Sequence, residues 1–137
     1  MDESTRALIQ AHLEKARQKQ EAAAALLKTG FFEDAVSRAY YAAFHAAQAA
    51  LLTEGQQPDT HKGLSTLFGL FFVKTGRIDK RLGRFLANLK DDRETSDYEV
   101  LGWVDKEGAE KAIEEASEFC EAIEAYLAKI GILRGGA

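Results

Sequence analysis

The chain has 137 residues, 46% of them hydrophobic, with 18 Lys and Arg against 22 Asp and Glu, a net charge of −4. That length suits one domain able to bury a sizeable core without a staple, and a single cysteine, Cys120, excludes an internal disulfide and a paired-thiol metal site. The acidic start Met1-Asp2-Glu3-Ser4 lacks a signal-peptide pattern and no apolar run is long enough to span a bilayer, so a soluble, cytoplasmic protein is expected.

Glycines and the one proline, Pro58, cut the chain into five predicted helices, 4–28, 32–53, 60–75, 79–89 and 106–130. The first carries Ile9, Leu13, Ala16, Ala23 and Leu27 at helical period and stops at Thr29-Gly30. In the second, Ala35, Ala39, Ala42, Ala46 and Ala50 offer a seam for close packing. Arg38, Tyr41 and His45, at i, i+3 and i+7, form a polar and aromatic stripe on another side. Asp59 or Thr60 caps the third, whose apolar face is Leu64, Leu67, Phe68, Phe71 and Phe72. The fourth places Ile78, Leu82, Phe85, Leu86 and Leu89 on one face, after which the apolar pattern fails and a polar stretch with Arg93, Asp97 and Tyr98 follows. The fifth has a core line of Ile113, Ala116, Cys120, Ile123, Leu127 and Ile130, with Glu110, Glu114, Glu118 and Glu121 facing water.

No segment alternates with period two. Long helices joined by short loops imply an all-α, up-down antiparallel four-helix bundle with a short fifth helix, a single domain over 1–137 with its core at about 5–130. The third helix is read as a bundle member and the fourth as a member or a shorter addition.

Charge is unevenly spread. Residues 59–93 carry eight Lys and Arg against four Asp and Glu, whereas residues 94–137 carry four against eleven. A locally basic region can hold a short anionic ligand although the whole chain is acidic. There is no phosphate-binding glycine loop, no HExxH, no paired cysteines and no GxSxG elbow. His12, His45 and His61 fall on three different helices, and no metal or cofactor is expected. His12 is read as a surface residue.

The remaining chemistry lies in Arg38, Tyr41 and His45, in His61, and in Arg93, Asp97 and Tyr98. Arginine forks bind phosphate, histidine exchanges a proton near neutral pH, and tyrosine stacks or hydrogen-bonds. The same residues have structural readings: Arg38 with Asp97 as a buried ion pair, Tyr40, Tyr41 and Phe44 as core or dimer aromatics, His61 as a helix cap.

Three blocks in order, Ser37-Arg38-Ala39-Tyr40-Tyr41-Ala42-Ala43-Phe44-His45-Ala46-Ala47, Thr60-His61-Lys62-Gly63 and Arg93-Glu94-Thr95-Ser96-Asp97-Tyr98, resemble those of small stand-alone prokaryotic HEPN domain proteins. The resemblance implies a helical bundle that usually dimerises, often beside a minimal nucleotidyltransferase in a toxin–antitoxin-type module. Many members are metal-independent endoribonucleases using an arginine and a nearby histidine. Arg93 matches that arginine. Four residues separate it from Tyr98, which stands where active members carry the histidine, and no histidine follows His61. Val100 stands where some relatives carry a tyrosine that receives a nucleotide from the partner.

The first expectation is therefore a nucleotide- or RNA-binding component of such a module, with Arg93 at its centre and Arg38, Tyr41, His45, His61, Asp97 and Tyr98 as binding residues. Two alternatives stand beside it. One is an endoribonuclease pairing Arg93 with a non-standard second residue, and the other is a purely structural dimeric protein.

Overall fold

A computed structural model describes residues 1–98 and 104–133, with side chains omitted for 95–98. It contains helices α1 (Glu3–Lys28), α2 (Phe32–Leu52), α3 (His61–Phe68), α4 (Lys80–Tyr98) and α5 (Lys106–Lys129), and a π-helical turn at Gly69–Val73 that continues α3. No strand occurs among the described residues. The helical bundle expected from the sequence is what forms.

Local chemistry sets the boundaries. The Asp2 carboxylate accepts the Thr5 amide at 2.7 Å and opens α1. Gly30, at φ 84°, makes the tight turn that sends α2 back along α1. Thr60 and Asp105 cap α3 and α5 by accepting the amides of Gly63 at 2.9 Å and Gly108 at 2.8 Å. The Thr60 cap, one of the two residues expected there, fixes where His61 stands.

Helix α2 is the centre of the molecule. From Ala46 to Leu52 every residue is buried, as are Ala35, Val36, Ala39, Tyr40, Ala42 and Ala43. A helix buried round most of its circumference needs small side chains, and alanine lets α1, α5 and α4 all approach its axis. The alanine seam is thus wider than one face. Phe68, Phe72 and Phe119 fill the space beside it, with ring centres 5.3 Å apart for Phe68 to Phe72 and for Phe68 to Phe119.

Two expectations are corrected. The third helix is the short one: regular α-helix ends at Phe68, and the chain then takes a π-turn closed by the Lys74 amide donating to the Gly69 carbonyl at 2.8 Å. The fourth is a full bundle member that does not stop at Leu89. It runs on to Tyr98, because Arg93 extends the buried line of Leu82, Leu86 and Leu89 at helical spacing while Asp91, Asp92 and Glu94 stay in water. Arg93 therefore lies on a helix and not in a segment after one. On α5 the core line is buried from Ala116 to Leu127, Ile113 is partly buried, and Ile130 is exposed.

Candidate functional site

The polar residues of three helices meet over the middle of α2. Tyr40 is fully buried, yet its hydroxyl reaches the Nδ1 atom of His61 at 2.6 Å. Tyr41 and Phe44, both partly exposed, complete the ring cluster: the His61 ring centre lies 5.0 Å from that of Phe44 and 5.9 Å from that of Tyr41. Arg93 arrives from α4, with its Cζ atom 5.4 Å from the Tyr41 ring centre and 5.9 Å from that of Tyr40. Both distances are in cation–π range, so the guanidinium is carried on the faces of the two tyrosines. Lys90, one turn back, pairs with Glu94 at 3.4 Å.

Electrostatics follow from this packing. Burial, then the charges of Arg93 and Lys90, hold the His61 pKa below its ordinary value, with Glu94 opposing them. His61 is therefore neutral at physiological pH. Burial pushes the Tyr40 phenol up to about 12, so it stays protonated. The site thus combines a permanent cation, a neutral imidazole and a phenol that keeps its proton.

His45 belongs to a neighbouring pair. Its Nδ1 atom lies 3.0 Å from that of His12 on α1, and Phe44 links the two groups, 5.4 Å from His45 between ring centres. His12 is thus half-buried and hydrogen-bonded, and not the surface residue expected of it. Burial first, then His12, Lys19 and Lys15, lowers the His45 pKa to about 4. Arg38 is exposed and stands outside this chain of rings. The expected stripe therefore divides three ways: Tyr41 turns to His61 and Arg93, His45 to His12, and Arg38 to solvent.

Asp97 and Tyr98 lie on the last turn of α4, but their side chains are outside the described residues, as is the whole of Val100. The ion pair between Arg38 and Asp97 is likewise outside what is described. Tyr40 and Phe44 are the site members that sequence reasoning left in the core. The signal for Tyr40 was its place next to Tyr41 on a helix with few other large residues. For His12 it was the i+3 spacing from Ile9, which puts it at the rim of the buried face. Among the described residues no group of three or more His, Cys, Asp or Glu side chains converges as a metal site would require.

Comparison with known proteins gives a consistent picture. The model of the HEPN domain family matches residues 9–126. A protein of Methanocaldococcus jannaschii named "putative toxin" is 38% identical over 130 residues, spanning 95% of this chain and 96% of its own. A second protein of that organism with the same description is 33% identical over 123 residues, 90% of this chain and 84% of its own. A Thermotoga maritima protein named only as a UPF0332 protein is 37% identical over 110 residues, 80% and 83% of the two chains.

Proposed function

The chain belongs to the HEPN domain family, and we propose that it is the RNA- or nucleotide-binding component of a toxin–antitoxin-type module, a homodimer working beside a minimal nucleotidyltransferase. The observation that carries the binding is the Arg93 guanidinium on the faces of Tyr40 and Tyr41, next to a neutral His61. A guanidinium supported by rings meets a phosphate with its hydrogen-bonding fork. Tyr41 and Phe44, partly exposed beside it, offer surfaces on which an unpaired base can stack. The basic excess of residues 59–93 adds a favourable field for a polyanion. The "putative toxin" name of two relatives supports a toxin-like role for this chain as well.

The test is binding of a labelled single-stranded RNA at fixed salt. Arg93→Ala weakens binding by about tenfold or more, the loss of one charge-assisted phosphate contact, and Arg93→Lys does not restore it. An unchanged affinity in a folded Arg93→Ala protein would remove this reading. If the substitution instead melts the protein, Arg93→Lys, which keeps the charge and loses the fork, decides. Light scattering at micromolar concentration tests the homodimer, and co-purification with a nucleotidyltransferase encoded beside it tests the partnership.

A further inference from the structure

The wall where α3 and its π-turn meet α4 is not closed. A cavity of about 320 Å³ opens there, lined on one side by Phe68, Gly69 and Val73 and on the other by Leu86, with Lys80 and Arg84 at its rim. We propose that this cavity is a binding site for a small amphipathic carboxylate, whose apolar tail enters between α3 and α4 and whose carboxylate rests on Lys80 and Arg84. The site is separate from the ring cluster, since Tyr41, His61 and Arg93 are not among its lining residues.

The apolar half of the ligand follows from packing. The volume stands at the lower end of the ~300–1,000 Å³ typical of small-molecule sites, and the walls are largely aliphatic and aromatic. A hydrocarbon tail is therefore drawn in by the apolar surface it removes from water. Gly69 makes the indentation. Its backbone is ordinary helix, at φ −59° and ψ −45°, so its conformation does not require glycine, and a Cβ atom there would meet no neighbouring group within 4 Å. Glycine at such a position weakens the helix and leaves space in return. The same residue begins the π-turn, and widened turns of this kind recur at functional sites.

The anionic half follows from charge. Lys80 and Arg84 stand four residues apart on α4, hence on one face, and both are exposed. Neither side chain has an ion pair or hydrogen bond among the described residues, whereas Arg81 between them pairs with Glu118 at 2.8 Å. Lys80 opens α4, where the helix dipole disfavours a cation, and the first turn holds no acidic residue. Asp79 just before it is already engaged, accepting the Arg81 amide at 2.8 Å. From position 60 to position 90 the sequence has seven Lys and Arg and one acidic residue, Asp79. A negatively charged ligand thus relieves a repulsion as well as making a contact, which a neutral or cationic ligand of the same shape does not.

The experiment titrates the full-length protein with octanoate at constant pH and ionic strength and follows backbone amide shifts by NMR. Octylammonium, octanol and acetate serve as comparison ligands. Octanoate is expected to shift the amides of the cavity walls saturably, and to bind at least about tenfold more tightly than octylammonium or acetate. Arg84→Gln lowers the octanoate affinity about tenfold, the loss of one charge-assisted contact, and leaves octanol binding within about twofold. Gly69→Leu fills the cavity and removes octanoate binding, with the amide shifts of α1 and α5 unchanged. Equal affinity for octanoate and octylammonium, shifts that do not saturate or that centre elsewhere, or full octanoate binding by Gly69→Leu overturns the proposal. So does an acidic peptide with one leucine that occupies the cavity when octanoate does not, since the occupant is then a segment of a partner protein. Should Gly69→Leu unfold, Arg84→Gln, a change at an exposed residue, decides by the same comparison of octanoate with octanol.

Discussion

At the scale of single residues, the pair formed by His12 and His45 makes the fold sensitive to acid. Burial lowers the His45 pKa from the ordinary 6.5 to about 4, so the folded state binds its proton less readily than the unfolded chain does. The resulting stability is complete above the ordinary value and is lost as pH falls from there toward the folded value. His12 shifts in the same direction, and Lys15 and Lys19 on α1 add to the repulsion felt by a protonated His45. Discounted for the water that still reaches this half-buried pair, the loss between pH 7 and pH 5 is about 1 kcal/mol. Urea midpoints at the two pH values measure it, and His45→Gln is expected to flatten most of the difference. Neither partner announced the other in the sequence, where 33 positions separate them, because pairing across helices depends on how α1 rotates against α2.

Among the elements, the junction between the π-turn and α4 is a tight fit. A Cβ atom added at Gly83 would lie 2.8 Å from Cγ2 of Val73, a branched side chain with little freedom to yield. Alanine in a helix interior is favoured over glycine by about 1 kcal/mol, whereas overpacking costs about 1–3 kcal/mol. Gly83→Ala is therefore expected to lower stability by about 1 kcal/mol, and adding Val73→Ala should restore it. Chemical denaturation of the single and double variants checks both statements.

The same elements explain what was legible in the chain beforehand. Helices α1, α2 and α5 could be placed to within a residue or two because Gly30, Asp105 and the apolar spacing each act locally. The π-turn could not be placed, since Leu67, Phe68, Phe71 and Phe72 keep an ordinary α-helical spacing through it. The end of α4 was missed for a different reason. Arg93 occupies the next position of the apolar line, but a charged residue breaks a hydrophobic pattern even when it packs on rings. For the site, the arginine and two ring-bearing segments were readable as motifs. Which of the α2 residues faced them was not, because Tyr40 and Tyr41 are adjacent and only the packing of α3 and α4 selects their directions.

On the scale of the whole molecule, stability is graded outward from α2. Its residues contact α1, α4 and α5, so their amides should exchange with solvent only through global unfolding. Helix α3 and the π-turn are short, rest mainly on α2 and α4 and touch α5 through the rings of Phe68 and Phe72, and their amides are expected to exchange through smaller openings. Native-state hydrogen exchange in mild denaturant would separate the two classes, and equal protection of α2 and α3 would contradict the gradient. His61 sits on the less protected element while Tyr40 sits on the most protected one, so the hydrogen bond between them joins opposite ends of that gradient.

Eight of the 13 buried residues of the inner helix are alanine, the smallest side chain that still has a Cβ, and at those positions the molecule is vulnerable chiefly in one direction. Nearly every single-nucleotide change at those alanines adds bulk, wedging neighbours apart, and almost none can hollow the centre out. Compensation must then come from trimming the larger partners on the surrounding helices, so changes in the middle of this protein should travel in pairs.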